Sequence, residues 1–235
     1  MPMSITKQNI TLLMTLGLTV GCVEDAAGTG PTDNTVATGA ILPWKVGNSW
    51  TYEVNDEGVI SDKTTKIEAE ESVGGTGPNK DAKAFRVVTL KDDGTDQTIS
   101  WQAPLEDKVV RYREQSFDRA GGTVELEEHW APYKLHIDGS ADHSKSGANW
   151  LEVYNETKLE TGSVDAPVAV EERDRWAVDQ PDATVEVPAG KFEHAIVYTK
   201  AGGGDTKMYW YVRGVGKVKE TGGQTEELVS YQVAE

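Results

Sequence analysis

From Ser49 onward the chain alternates apolar and polar side chains with a period of two, and little of it repeats at the helical period. In "SWTYEV" (49–54), Trp50, Tyr52 and Val54 share one face while Ser49, Thr51 and Glu53 share the other, which is the pattern of a half-buried strand. The same alternation predicts strands over 63–73, 82–90, 97–103, 108–115, 122–130, 133–138, 149–159 and 168–178. Further strands are predicted over 183–187, 191–200, 206–213, 216–221 and 227–233. Turn residues punctuate them. "KDDGTD" (91–96) and "GGTGPNKD" (74–81) place Asp-Gly and Gly-Pro between strand signals. In "VEVPAGKFEH", Pro188 suits the second place of a type I turn and Gly190 the left-handed place after it, so the chain returns as a hairpin.

Successive hairpins predict an all-β fold: a single antiparallel meander of about twelve strands forming a curved sheet, half-open barrel or sandwich. Residues 41–235 are expected to make one such domain, which is within the size range of a single all-β unit. A membrane-spanning barrel fits poorly. Strands such as "VAVEERDRWAV" carry charge on both faces, where a lipid-facing band about 25 Å tall is required.

The pattern changes before residue 41. Lys7 is the sole ionisable side chain of the first 21 residues, and Ile10 to Gly21 is uncharged. That run is shorter than the roughly 20 apolar residues a membrane helix needs, and its small-residue end matches an export signal. "TVGC" (19–22) resembles the cleavage site of bacterial lipoproteins, in which a small residue, here Gly21, precedes a cysteine that receives lipid. The resemblance implies cleavage between Gly21 and Cys22, lipidation of Cys22, and an anchor to the membrane through that lipid. Thr19 departs from the usual leucine, which here stands one place earlier as Leu18. Cys22 is the one cysteine of the chain, so no disulfide supports the fold. The stretch 22–40 is then a lipidated cysteine and a flexible acidic tether, too polar to offset its ordering entropy. Val23 follows the cysteine where an inner-membrane retention signal has Asp. By resemblance this favours the outer membrane if the source is Gram-negative.

Loss of residues 1–21 removes Lys7 and moves the formal net charge from -16 to -17. Such a surface repels phosphate backbones, so nucleic-acid binding is not expected. Two stretches widen the resemblance: "LPWKVGNSWTYEV" (42–54), and "VEVPAGKFEHAIVYTK" with "YWYVRGVGKVKETGGQTEELVSY" (185–231). Their Gly-Asn-x-Trp-x-Tyr opening strand and Val-Pro-Ala-Gly-x-Phe hairpin are similar to a group of uncharacterised bacterial envelope lipoproteins. The resemblance implies a β-rich envelope domain, similar in class to the half-open barrels of lipoprotein-localisation factors, and brings no catalytic residues.

Candidate chemistry is sparse. His129, His136 and His143 lie seven apart, an odd spacing that puts strand neighbours on opposite faces, so neither a metal site nor a cofactor is expected. Glu125 and Glu127 share a face at the scale of a glycosidase pair, but 39 acidic residues make such pairs common. No Gly-x-Ser-x-Gly elbow occurs, and "GVGKVK" (214–219) lacks the helix of a dinucleotide loop. Without a catalytic constellation the chain is not read as an enzyme.

The first expectation is therefore a structural or protein-interaction role in the cell envelope, with a filled core and an acidic surface meeting another envelope protein. The alternative is a carrier for a lipid or other apolar ligand, lined by Trp50, Trp101, Trp210 and Phe192. A hydrolase acting on polysaccharide comes third. Volume separates the first two, because a carrier needs a pocket of about 300 to 1,000 Å³.

Overall fold

The computed structural model describes residues 39–91 and 97–234. The signal, Gly21, Cys22, most of the tether and the Asp-Gly turn of "KDDGTD" lie outside the described residues. Twelve strands follow one another: β1 Ser49–Asp56, β2 Val59–Ser72, β3 Lys83–Lys91, β4 Gln97–Leu105, β5 Lys108–Phe117 and β6 Val124–Asp138. A 3-10 turn, Ala141–His143, leads to β7 Asn149–Glu160, β8 Ala169–Val187, β9 Gly190–Gly202, β10 Asp205–Val212, β11 Gly216–Thr221 and β12 Thr225–Gln232. Every neighbour pair is antiparallel and consecutive, and β1 pairs with β12, so the meander closes into a barrel. The expected fold class holds, and closure removes the free edges that a half-open sheet would leave. Segments predicted separately at 122–130 and 133–138 are both β6, and those at 168–178 and 183–187 are both β8. Bulges in their ladders carry the strands through the interruptions at Ala131-Pro132 and at 179–182.

A meander of this kind puts the β1–β2, β5–β6 and other described odd-to-even hairpins at one end, which is the mouth. The returning connections and both ends of the described chain gather at the other. That end is stoppered by the segment ahead of β1, where Ile41 and Leu42 are buried. Ile41 fills the space beside Gly139, where a β-carbon would stand 2.4 Å from it, and Leu42 does the same at Gly216, whose φ of +106° also requires glycine. The tether's last two residues are docked too: Gly214 N donates to Ala40 O at 2.9 Å, and Arg213 donates to Gly39 O. The β8–β9 hairpin reaches across to β12. Val187, Phe192 and Val197 are buried, and Ala189 N donates to Leu228 O at 2.8 Å. Gly190 takes the expected positive φ, +130°.

Asn48, fully buried, ties the segment ahead of β1 to the residues that follow β12. Its Nδ2 donates to Pro43 O at 3.0 Å and its Oδ1 accepts from Ala234 N at 2.9 Å. Asn48→Ala would leave both backbone groups without these partners. It is expected to lower stability by about 1–3 kcal/mol, read as a lower urea midpoint.

The outer face carries exposed Glu53, Lys66, Glu171, Arg173 and Arg175 along its strands, where a transmembrane barrel presents an apolar band. Among the described residues no helix is long and apolar enough to cross a membrane.

Candidate binding site in the barrel lumen

The inward parity of several strands carries aromatic and charged residues together. On β7 it holds Trp150, Glu152, Tyr154, Glu156 and Lys158, while Leu151 and Val153 face outward and are exposed. On β8 it holds Glu172, Asp174 and Trp176; on β10, Lys207, Tyr209 and Tyr211. Bulges add to this set. A register shift at Trp210/Tyr211 lets Lys217 and Glu220, three apart on β11, both face inward, and one at Arg111/Arg113 does the same for Arg111 and Glu114. Together they enclose a cavity of about 720 Å³, open at the mouth and floored by Trp44 and Trp50.

Eight basic and eight acidic side chains line it, in a chain with 39 acidic and 23 basic residues, so the lumen is balanced where the molecule as a whole is acidic. Two ion clusters hold most of them. On β2 and β10–β12, Lys217 pairs with Glu220 and with Glu226 (2.8 Å), Lys63 pairs with Glu226, and Lys207 pairs with Glu220 at 2.9 Å. Burial opposes charge on Glu226, but Lys217 and Lys63 overcome it and hold the carboxyl well below its usual range. Glu220 is lowered in the same way, against burial, by Lys217. Burial pulls Lys63 down to about 8, helped by Lys217 and resisted by Glu226.

The second cluster lies on β6–β9. Lys200 meets Asp174 at 2.7 Å, and Tyr154 Oη donates to the same carboxylate at 3.1 Å. Lys158 bridges Glu156 (3.1 Å) and Glu128 (3.5 Å). Glu128 stands opposite Glu114 in the ladder, and burial, then Glu114 and Glu156, raises its carboxyl. Beneath them Glu152 accepts from Trp176 Nε1 at 3.0 Å and from Leu135 N. Burial nonetheless raises its carboxyl. Between the clusters, β2–β4 present an uncharged stretch of wall: Thr65 and Thr89 share a hydrogen bond at 3.1 Å, and Gln102 Nε2 donates to Ser100 Oγ at 2.7 Å.

At the floor, Trp44 stacks on Trp50 at 5.7 Å, and Arg111 Nη2 lies 3.3 Å from His136 Nδ1. Burial and then Arg111 hold His136 well below its ordinary value, so the ring is neutral, with Nδ1 accepting and the proton on Nε2. Three buried polar atoms of this group have no protein partner: Trp44 Nε1, Arg111 Nε and Gln102 Oε1.

Of the four aromatics singled out in the sequence, Trp50 lines the lumen. Phe192 is buried against Tyr231, with ring centroids 6.3 Å apart, and does not line the lumen. Trp210 has the opposite parity to Tyr209 and Tyr211 and lies beneath Lys219. Trp101 is also on the outer side, under the Arg113 guanidinium and donating to Glu71 at 2.9 Å. Alternation around "MYWYV" could have separated Trp210 from its neighbours; the charged members of the lumen were missed because charge was read as an outward signal.

The histidines divide as their odd spacing requires. His129 is outside, bonded to Glu127 at 2.7 Å and covered by the β2–β3 loop, while His136 is inside and His143 stacks on Trp150. Glu127 is committed to Arg113, Gln115 and His129, so the Glu125/Glu127 pair faces no cleft. Among the described residues no group of three or more metal-ligating side chains is placed to hold an ion.

Comparison with known proteins gives little. No family model matches the chain, and no curated protein matches it. The chain is similar to a solved structure from Bacteroides fragilis, a protein provisionally described as exported, with a YmcC-like fold. It is 11% identical, with a TM-score of 0.47, over 83% of this chain and 100% of that one. Likeness at that level carries no functional argument.

Proposed function

We propose that the protein is an exported lipoprotein of the bacterial cell envelope, held to its membrane by lipid on Cys22, whose barrel lumen binds a small water-soluble molecule. The observation that carries the binding reading is the lumen: about 720 Å³ of space walled by aromatic rings and paired charges. A purely structural protein has no use for it. Buried ion pairs stabilise a fold less than apolar residues of similar volume do, so sixteen carboxylate, lysine and arginine side chains around a cavity are a poor way to build a core. An apolar ligand suits the wall no better, because hydrocarbon would strip water from lysines and carboxylates without replacing their hydrogen bonds. The lipid carrier therefore gives way to a binder of polar solutes, and the interaction role loses its filled core.

The anchor rests on Lys7, the uncharged run 10–21 and the small residues before Cys22. Cys22→Ser is expected to move the protein from the membrane to the soluble fraction, assayed by fractionation and immunoblot; unchanged partition overturns the anchor. For the lumen, native mass spectrometry of protein purified from its own source should show a retained small polar molecule. A bare mass, or a retained lipid, overturns the reading.

A further inference from the structure

We infer that the ligand of the lumen is a neutral polyhydroxylated molecule, a saccharide of one or two rings; this rests on the binding reading above. The charge pattern is the first reason. Lys63, Lys217, Lys207, Lys200, Lys158 and Arg111 are each within ion-pair distance of a lumen carboxylate, and the total is balanced at eight against eight. An anion would have to break one of these pairs or leave its own charge uncompensated in a partly desolvated space; a cation would have to do the same or settle on Glu172 and Asp205, which carry no ion pair among the described residues. A neutral one need not.

Hydrogen-bonding capacity is the second. An ammonium has three donors and a carboxylate about four acceptor sites, so each pair keeps donors and acceptors to spare. A hydroxyl group donates and accepts at once, and can bridge such a pair without separating it. Thr65, Thr89, Thr98, Ser100 and Gln102 extend that mixed character along the uncharged part of the wall.

The floor gives the third. Trp44 Nε1 and Arg111 Nε are donors without a protein partner, and Gln102 Oε1 is an acceptor without one. Gln102 and Arg111 are opposite each other in the β4–β5 ladder, Arg111 touches His136, and His136 lies 5.9 Å from Trp44, so the three unpartnered atoms belong to one cluster. Hydroxyls answer both needs; a carboxylate, phosphate or ammonium answers one. Aromatic rings complete the match. Trp44 and Tyr209 border the cavity and are only half-buried, and the negative face of such a ring suits the weakly positive C–H face of a pyranose.

The test uses detergent-solubilised full-length protein, with tryptophan fluorescence and saturation-transfer NMR as readouts. The probes are glucose, galactose, N-acetylglucosamine, maltose and cellobiose, the charged counterparts glucuronate and glucosamine, and palmitate. At least one neutral sugar is expected to bind about tenfold more tightly than the charged counterparts. Its Kd should change by less than about twofold between roughly 50 and 500 mM salt. Thr65→Trp, or Thr98→Trp at a second point of the wall, should weaken that binding by at least about tenfold while circular dichroism still reports a folded barrel. Preference for glucuronate, glucosamine or palmitate, a steep salt dependence, or binding indifferent to both tryptophan variants overturns the saccharide. So does failure of every neutral sugar to bind. A charged probe blocked by those variants overturns the saccharide and leaves the lumen reading standing, whereas no binding by any probe together with a bare native mass removes both.

Discussion

Lys217→Met is expected to lower the unfolding free energy by about 3–5 kcal/mol and to flatten the acid limb of the stability curve. Lys217 is the hub of a cluster that joins β2, β10, β11 and β12 at the thinnest seam of the barrel, where β11 and β12 pair through two positions, Lys219 with Glu227 and Glu220 with Glu226. Removing the ammonium leaves two nearly buried carboxylates with Lys63 and Lys207 alone. The pH dependence follows from the direction of the shifts. Glu220 and Glu226 are held below 4.5 in the folded protein, so below that pH the unfolded chain binds more protons. Their contribution is complete above about pH 4.5 and is lost as pH falls further. Without Lys217, burial, the largest influence on both, moves the folded values upward and removes this slope. Urea unfolding from pH 7 to pH 3 reads both effects. Lys219→Met is the control, because its pair with Glu227 is partly exposed on the outer face and is expected to change stability by about 0–1 kcal/mol. Equal losses in the two variants would refute the role given to Lys217.

Trp176→Ala should lower stability by about 3–5 kcal/mol as well, through a different mechanism. Trp176 is 1% exposed, stacks with Trp150 at 6.0 Å and with Tyr209 at 5.9 Å, and donates to Glu152. Alanine leaves a cavity at the base of the lumen wall and deprives a buried carboxylate of a donor. Trp176→Phe separates the two losses. It keeps most of the ring and removes the N–H, so about 1–3 kcal/mol is expected for the unanswered Glu152 oxygen. Denaturant midpoints with near-ultraviolet circular dichroism measure both variants. If phenylalanine is as damaging as alanine, packing of the ring contributes nothing and the account of this wall fails.

The strands were legible because a period of two in hydrophobicity survives even where the sheet is polar on both sides: Trp50, Tyr52 and Val54 mark the inner parity of β1 as plainly as they would in a sandwich. Closure was not legible, since the β1–β12 pairing joins residues about 180 apart and leaves no local trace. The lumen was half legible. In "NWLEVYNETKL" the parity that carries Trp150 and Tyr154 also carries Glu152, Glu156 and Lys158, and that coincidence of aromatic and charged residues on one face signals a wet interior. Lys217 with Glu220, and Arg111 with Glu114, are three apart and read as opposite faces until a bulge rotates one of them inward. Bulges are set by ladder register, so the most consequential pairs of the site were those that local pattern conceals.

Because Asn48 fastens both ends of the described chain at the stoppered base, the barrel has a foot and a rim. Any support that grips the chain upstream of Gly39, whether a bilayer or the surface of a sensor chip, holds it by the foot. Solutes then reach the rim from the open side, without having to pass between the barrel and whatever carries it.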